Sequence, residues 1–144
     1  MTADLRRAVT LLNESKFTCV LCKGDSIHTS RKTGISPMLD WLDSGMQLRD
    51  YAAADKIVGR AAALLFAHAG IREVYAQVLS QSALDYFNSQ NIAVHYGELT
   101  PHIINRRNDG ICPMEQVTAE ISDPQEALHI IRETRERLRQ GEQI

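Results

Sequence analysis

The stretch that most limits how this chain can fold runs from Ala52 to Gly70, and from Ile57 onward it is apolar on nearly every side. A helix that is apolar all round must be covered by a sheet on one face and by other elements on the rest. The spacing predicts one helix over about Ala52–Ala69, with Asp50 as its N-cap and Gly70 as its stop. Before it, Leu5, Ala8, Val9 and Leu12 recur at helical spacing within a helix predicted for Thr2–Ser15. Phe17–Lys23 and Ser26–Ser30 read as a hairpin turned at Gly24-Asp25. Ser36-Pro37 opens a short helix that Gly45 closes. After the apolar helix come a strand (Glu73–Leu79), a helix (Ser82–Ser89) and a strand (Ile92–Tyr96). Gly97–Ile111 reads as irregular and polar, and Cys112-Pro113 starts a helix. Asp123-Pro124-Gln125-Glu126 starts the last helix, expected to bury Ala127, Ile130, Ile131 and, at its far end, Leu138. A strand–helix–strand run beside a buried helix is the pattern of a mixed sheet layered by helices. The expectation is a single α/β domain over residues 1–144, built as three layers of helix, mixed sheet and helix.

Composition narrows the function classes. Formal net charge is -2 over 144 residues, so overall charge implies neither a polyanion partner nor a membrane surface. No apolar run approaches the ~20 residues of a bilayer span. The basic pair Arg6-Arg7 is not followed by the apolar core of a signal peptide. Three cysteines, an odd number without framework spacing, favour a reducing compartment, so a cytoplasmic location is expected.

Two local stretches carry a family resemblance. Ala53-Ala54-Asp55-Lys56-Ile57-Val58-Gly59-Arg60-Ala61-Ala62-Ala63 is one, and Asn105-Arg106-Arg107-Asn108-Asp109-Gly110-Ile111-Cys112-Pro113-Met114-Glu115-Gln116 is the other. Both resemble an uncharacterised prokaryotic family, a domain of unknown function with the cytidine deaminase-like fold. The resemblance implies that fold and a set of suspect residues, and it implies no activity. It also implies Lys where Arg60 stands, a change that keeps the charge and alters its geometry.

The zinc chemistry of deaminases requires a His or Cys with Glu two residues on, then Pro-Cys-x-x-Cys at a following helix start. Here the matching positions read Ala54-Asp55-Lys56 and Ser80-Gln81-Ser82-Ala83, without His or Cys. No metal site and no cofactor are therefore expected. Cys19-Val20-Leu21-Cys22 has suggestive spacing, but on a strand the two thiols point to opposite faces, so both read as buried packing. The five histidines show no paired ligand spacing.

What remains are charged groups beside small residues. On the predicted helix Asp55 and Lys56 cannot pair with each other, while Lys56 and Arg60 are i, i+4 neighbours among alanines near an N-terminus that favours anions. Lys56 and Arg60 are expected to bind a small anionic or nucleotide-like ligand, with Asp55 orienting it or exchanging protons; the plain alternative is a structural ion pair. Cys112 is expected at a helix N-cap, where free amides stabilise a thiolate, and is the candidate nucleophile. Asn105 and Arg106 are expected to help hold the ligand. The competing reading is a non-catalytic sensing or protein-interaction module on a decayed enzyme fold. Nucleic acid binding would rest on Arg31-Lys32 and Arg106-Arg107 alone and is not expected. Homo-oligomer formation is left open.

Overall fold

The computed structural model describes residues 1–104, 108 and 110–141. Its centre is a five-stranded mixed sheet in the order β2-β1-β3-β4-β5. The strands are β1 (Cys19–Lys23), β2 (Ser26–Ser30), β3 (Ala52–Val58), β4 (Glu73–Ser80) and β5 (Ala93–Thr100). β1 runs antiparallel to both β2 and β3, whereas β3, β4 and β5 are mutually parallel. The helices are α1 (Ala3–Glu14), α2 (Ser36–Asp43), α3 (Arg60–Ala69), α4 (Gln81–Ser89), α5 (Pro113–Thr118) and α6 (Pro124–Arg139). α1 covers one face of the sheet, where Leu5, Ala8 and Leu12 meet Val20, Cys22, Ala52 and Ala54. The other helices build the larger core on the opposite face, around Phe66, Phe87, Leu64, Leu79 and Ile131. The expected α/β architecture of helix, mixed sheet and helix is what the chain adopts.

One predicted element is wrong. The apolar run is a strand followed by a helix, β3 (Ala52–Val58) and α3 (Arg60–Ala69), joined by Gly59. The alanines that argue for helix are tolerated in a strand because β3 is central: Ala52 and Ala54 lie under α1, while Ala53 faces the larger core. Small side chains let helices approach on both sides, and this context overrides intrinsic propensity. Asp50 is therefore no N-cap; it sits at φ 68° in the turn before β3. Gly70 does stop the helix, at φ 79° in the left-handed conformation.

Smaller differences follow from local chemistry. α2 opens at Ser36, with Ile35 as its N-cap residue. β5 runs on to Thr100, through part of the segment expected to be irregular, because β4 offers a parallel partner over its full length. Beyond β5, Ile104 and Ile111 form an isolated antiparallel bridge. In α6, Ala127 and Ile131 are buried as expected and Ile130 is half-buried, but Leu138 is exposed in the final turn. Cys19 and Cys22 do point apart, Cys19 into the larger core and Cys22 into the α1 side.

Candidate functional site

The carboxyl ends of the three parallel strands lead into the starts of α3, α4 and the segment after β5. In open α/β sheets this edge is where ligand crevices form. A cavity of about 230 Å³ lies there, lined by Arg60 from the start of α3, Ser80 and Ser82 from the start of α4, Pro101–Ile103 after β5, and Ile111, Glu115, Gln116 and Ala119 around α5. Drug-sized pockets occupy roughly 300–1,000 Å³, so this cavity suits a ring rather than a large ligand.

Glu115 is the carboxylate at the centre of this arrangement. Its Oε1 accepts from the backbone N–H of Arg60 at 2.7 Å, and its Oε2 accepts from that of Ala61 at 2.9 Å. The first amides of a helix have no partner within it, and a carboxylate across them satisfies both donors and the helix dipole. Burial raises the Glu115 pKa, and the two amides and the Arg60 charge pull it back part of the way. Gly59 makes this approach possible: a Cβ there would lie 2.1 Å from Glu115 Oε1.

Arg60 faces the other way from its own amide. Its Nε donates to the carbonyls of Thr118 (3.1 Å) and Ile121 (3.0 Å), and Nη2 donates to Ile121 O (2.7 Å) and Ser122 Oγ (3.2 Å). Nη1 reaches Ser82 Oγ at 3.4 Å. The guanidinium lies 5.2 Å from the centre of the Tyr86 ring, whose hydroxyl donates to Ser122 O. The planar fork thus clamps the α5–α6 connection onto α3 and α4, a task that an ammonium cannot copy.

Asp55 and Lys56 stand elsewhere. They are adjacent residues of β3, so they project to opposite faces and not along a helix toward Arg60. Asp55 is 6% exposed and pairs in register with Cys19 of β1. Burial lifts its pKa to about 7, against the opposing pull of the Ile57 and Lys56 amides and the Cys19 thiol. The Cys19 thiol is pushed well above its usual value, first by burial and then by the Asp55 charge. Cys112 is the N-cap residue of α5 as expected, with no side-chain cap bond, and its amide donates to Ile103 O at 3.0 Å. Of the expected site residues, only Arg60 lines the cavity among those described; Asp55, Lys56 and Cys112 do not. Asn105 and Arg106 lie outside the described residues.

The helix start therefore already holds an anion, supplied by the chain itself. In the sequence Glu115 and Gly59 stand only within the two family-like stretches, and neither has a role there. Val58-Gly59-Arg60 carried a usable signal, a glycine between an apolar run and a helix former. That Glu115 would fill the place carried no local signal. The starts of α3 and α4 hold Gly59-Arg60 and Ser80-Gln81-Ser82, again without His or Cys. Among the described residues no group of three His, Cys, Asp or Glu side chains is placed to hold a metal ion.

Residues 7–134 match the model of the TM1506 family, a domain of unknown function (DUF1893), and the chain belongs to that family. It is similar to the crystal structure of a DUF1893 family protein (TM1506) from Thermotoga maritima, with 25% identity, a TM-score of 0.84, and coverage of 92% of this chain and 91% of that one. A second structure, a diaminohydroxyphosphoribosylaminopyrimidine deaminase/5-amino-6-(5-phosphoribosylamino)uracil reductase from Thermotoga maritima, matches with 15% identity and a TM-score of 0.43. That match covers 65% of this chain and 35% of the other, too weak a likeness to carry an argument about chemistry. No curated protein matches. Among the described residues no helix is long and apolar enough to cross a membrane.

Proposed function

We propose that the protein binds a small nucleotide-like ligand by its ring in the cavity at the carboxyl edge of β3–β5. The observation that carries this reading is the fixed Glu115 carboxylate at the cavity wall. Each of its oxygens accepts one backbone N–H and keeps capacity for a second donor. A ring presenting N–H groups would use that capacity, flanked by Pro101, Ile103 and Ile111. Of the two ligand classes suggested by the sequence, the anionic one finds less support, because the α3 amides and the Arg60 fork are already engaged. No catalytic step is assigned to Asp55 or Cys112, since neither lines the cavity.

A thermal-shift panel of nucleobases, nucleosides and nucleotides tests this, run beside native mass spectrometry of the purified protein. The expected result is stabilisation by ring compounds bearing N–H donors. The shift should shrink in Glu115→Gln when each variant is compared with its own ligand-free melt. If no panel member shifts the wild-type melt and no ligand is retained, the reading fails. The non-catalytic module is then favoured, with Arg60 and Glu115 acting as an internal clamp.

A further inference from the structure

β5 is an eight-residue edge strand that pairs only with β4 among the described residues. Alternate residues of such a strand hold their N–H and C=O groups toward solvent, and natural edges are usually protected by Pro, Lys, a bulge or a covering segment. β5 (Ala93-Val94-His95-Tyr96-Gly97-Glu98-Leu99-Thr100) contains neither Pro nor Lys. No residue of it is buried, and Tyr96 (43%) and Leu99 (39%) are exposed. The other edge, β2, is five residues long and alternates half-buried Ser, His and Ser with exposed Ile27 and Thr29. A long edge with exposed apolar side chains, guarded only by the single exposed carboxylate of Glu98, calls for a strand rather than for a featureless apolar partner.

We propose that the strand is the β5 of a second copy, paired antiparallel about a two-fold axis at Tyr96, so that two five-stranded sheets become one of ten strands. In an isologous antiparallel pair the partners lie on the same face, so only registers centred on a single residue are allowed. Centring on Glu98 sets like charges directly opposite, which is destabilising. Centring on Gly97 leaves the axis without side chains and sets Tyr96 against Glu98. Centring on Tyr96 stacks the two tyrosines, sets Ala93 against Leu99, and covers the edge glycine, Gly97, with His95. The two Glu98 carboxylates then face Val94 and stay apart from each other. A net charge of -2 leaves little repulsion between copies.

Light scattering on size-fractionated protein should give twice the 16.1 kDa chain mass. In a Cys112→Ser background, Tyr96→Cys should cross-link on mild oxidation, because the substituted positions face each other across the axis; Cys19 and Cys22 are buried and take no part. Tyr96→Lys sets two ammonium groups together and should yield monomer with an unchanged circular dichroism spectrum. A wild-type monomer at high micromolar concentration overturns the proposal and leaves the edge to a strand from another protein. A dimer that survives Tyr96→Lys, or that fails to cross-link through Tyr96→Cys, also overturns it by placing the interface elsewhere.

Discussion

Asp55→Asn should make the protein more stable above neutral pH and remove part of its pH dependence. Asp55 is buried between β1 and β4 with a pKa near 7, against an ordinary value of 3.8. A group whose folded pKa is raised contributes fully below its unfolded pKa, and that contribution is lost as pH rises through the folded value. The window is therefore about pH 3.8 to 7. Some three pH units at ~1.36 kcal/mol each give a loss of roughly 4 kcal/mol from the acid end to neutrality. More than half of that falls above pH 5, so wild-type protein should lose about 2 kcal/mol through this group between pH 5 and pH 7.5. Asparagine keeps the shape and cannot ionise. Urea unfolding followed by Trp41 fluorescence, at several pH values from 5 to 8, gives the stability of both proteins. The difference between them matters, because Glu115 also has a raised pKa and its titration cancels in the subtraction. The difference should grow with pH in favour of the variant. A difference that stays constant across the range refutes the reasoning and means that Asp55 is ionised at little cost.

Two further outcomes follow from the clamp and from thiol burial. Gly59→Ala drives a methyl group into Glu115 Oε1 and should displace the carboxylate from the two amides. Losing a cap of this kind costs ~0.5–2 kcal/mol; unchanged urea stability would show that the carboxylate moves aside freely. A limiting dose of iodoacetamide should label Cys112, which is only half-buried, before Cys19 and Cys22, which are fully buried. Peptide mapping locates the label, and earlier labelling of either strand cysteine in folded protein contradicts the β1 placement.

The hairpin, α1 and the β4–α4–β5 run were legible because each is governed by local periodicity. Leu5, Ala8 and Leu12 mark one face of α1 and are buried there. Ser80 and Asp123 cap α4 and α6 through their own side chains, accepting from Ala83 and Gln125. β3 was not legible, because Ala52–Ala54 are chosen for closeness of packing on both faces, a property of the assembled sheet. That error moved Asp55 and Lys56 onto a helix start and gave Lys56 a shared face with Arg60 that it does not have. A cavity does lie between the start of α3 and the segment leading into α5, although the Asp55 helix start expected from the sequence is a strand. The part Glu115 plays there was not legible, because it meets Arg60 and Ala61 across 55 and 54 residues of chain, and no window of sequence contains that contact.

The same separation sets an order of assembly. α3 lies at the heart of the larger core, yet its first two amides and, apart from a bond to Ser82, the Arg60 guanidinium find their partners 54 to 62 residues further along the chain. During synthesis β1 through β4 leave the ribosome while those donors are still open to water. The helix can nucleate early, because its middle and its Gly70 stop are local. Its first turn gains these partners only once α5 and the turn into α6 have arrived. A chain that ends after β5 would keep every strand of the sheet and lack the groups that seal it, a species prone to linger as an intermediate.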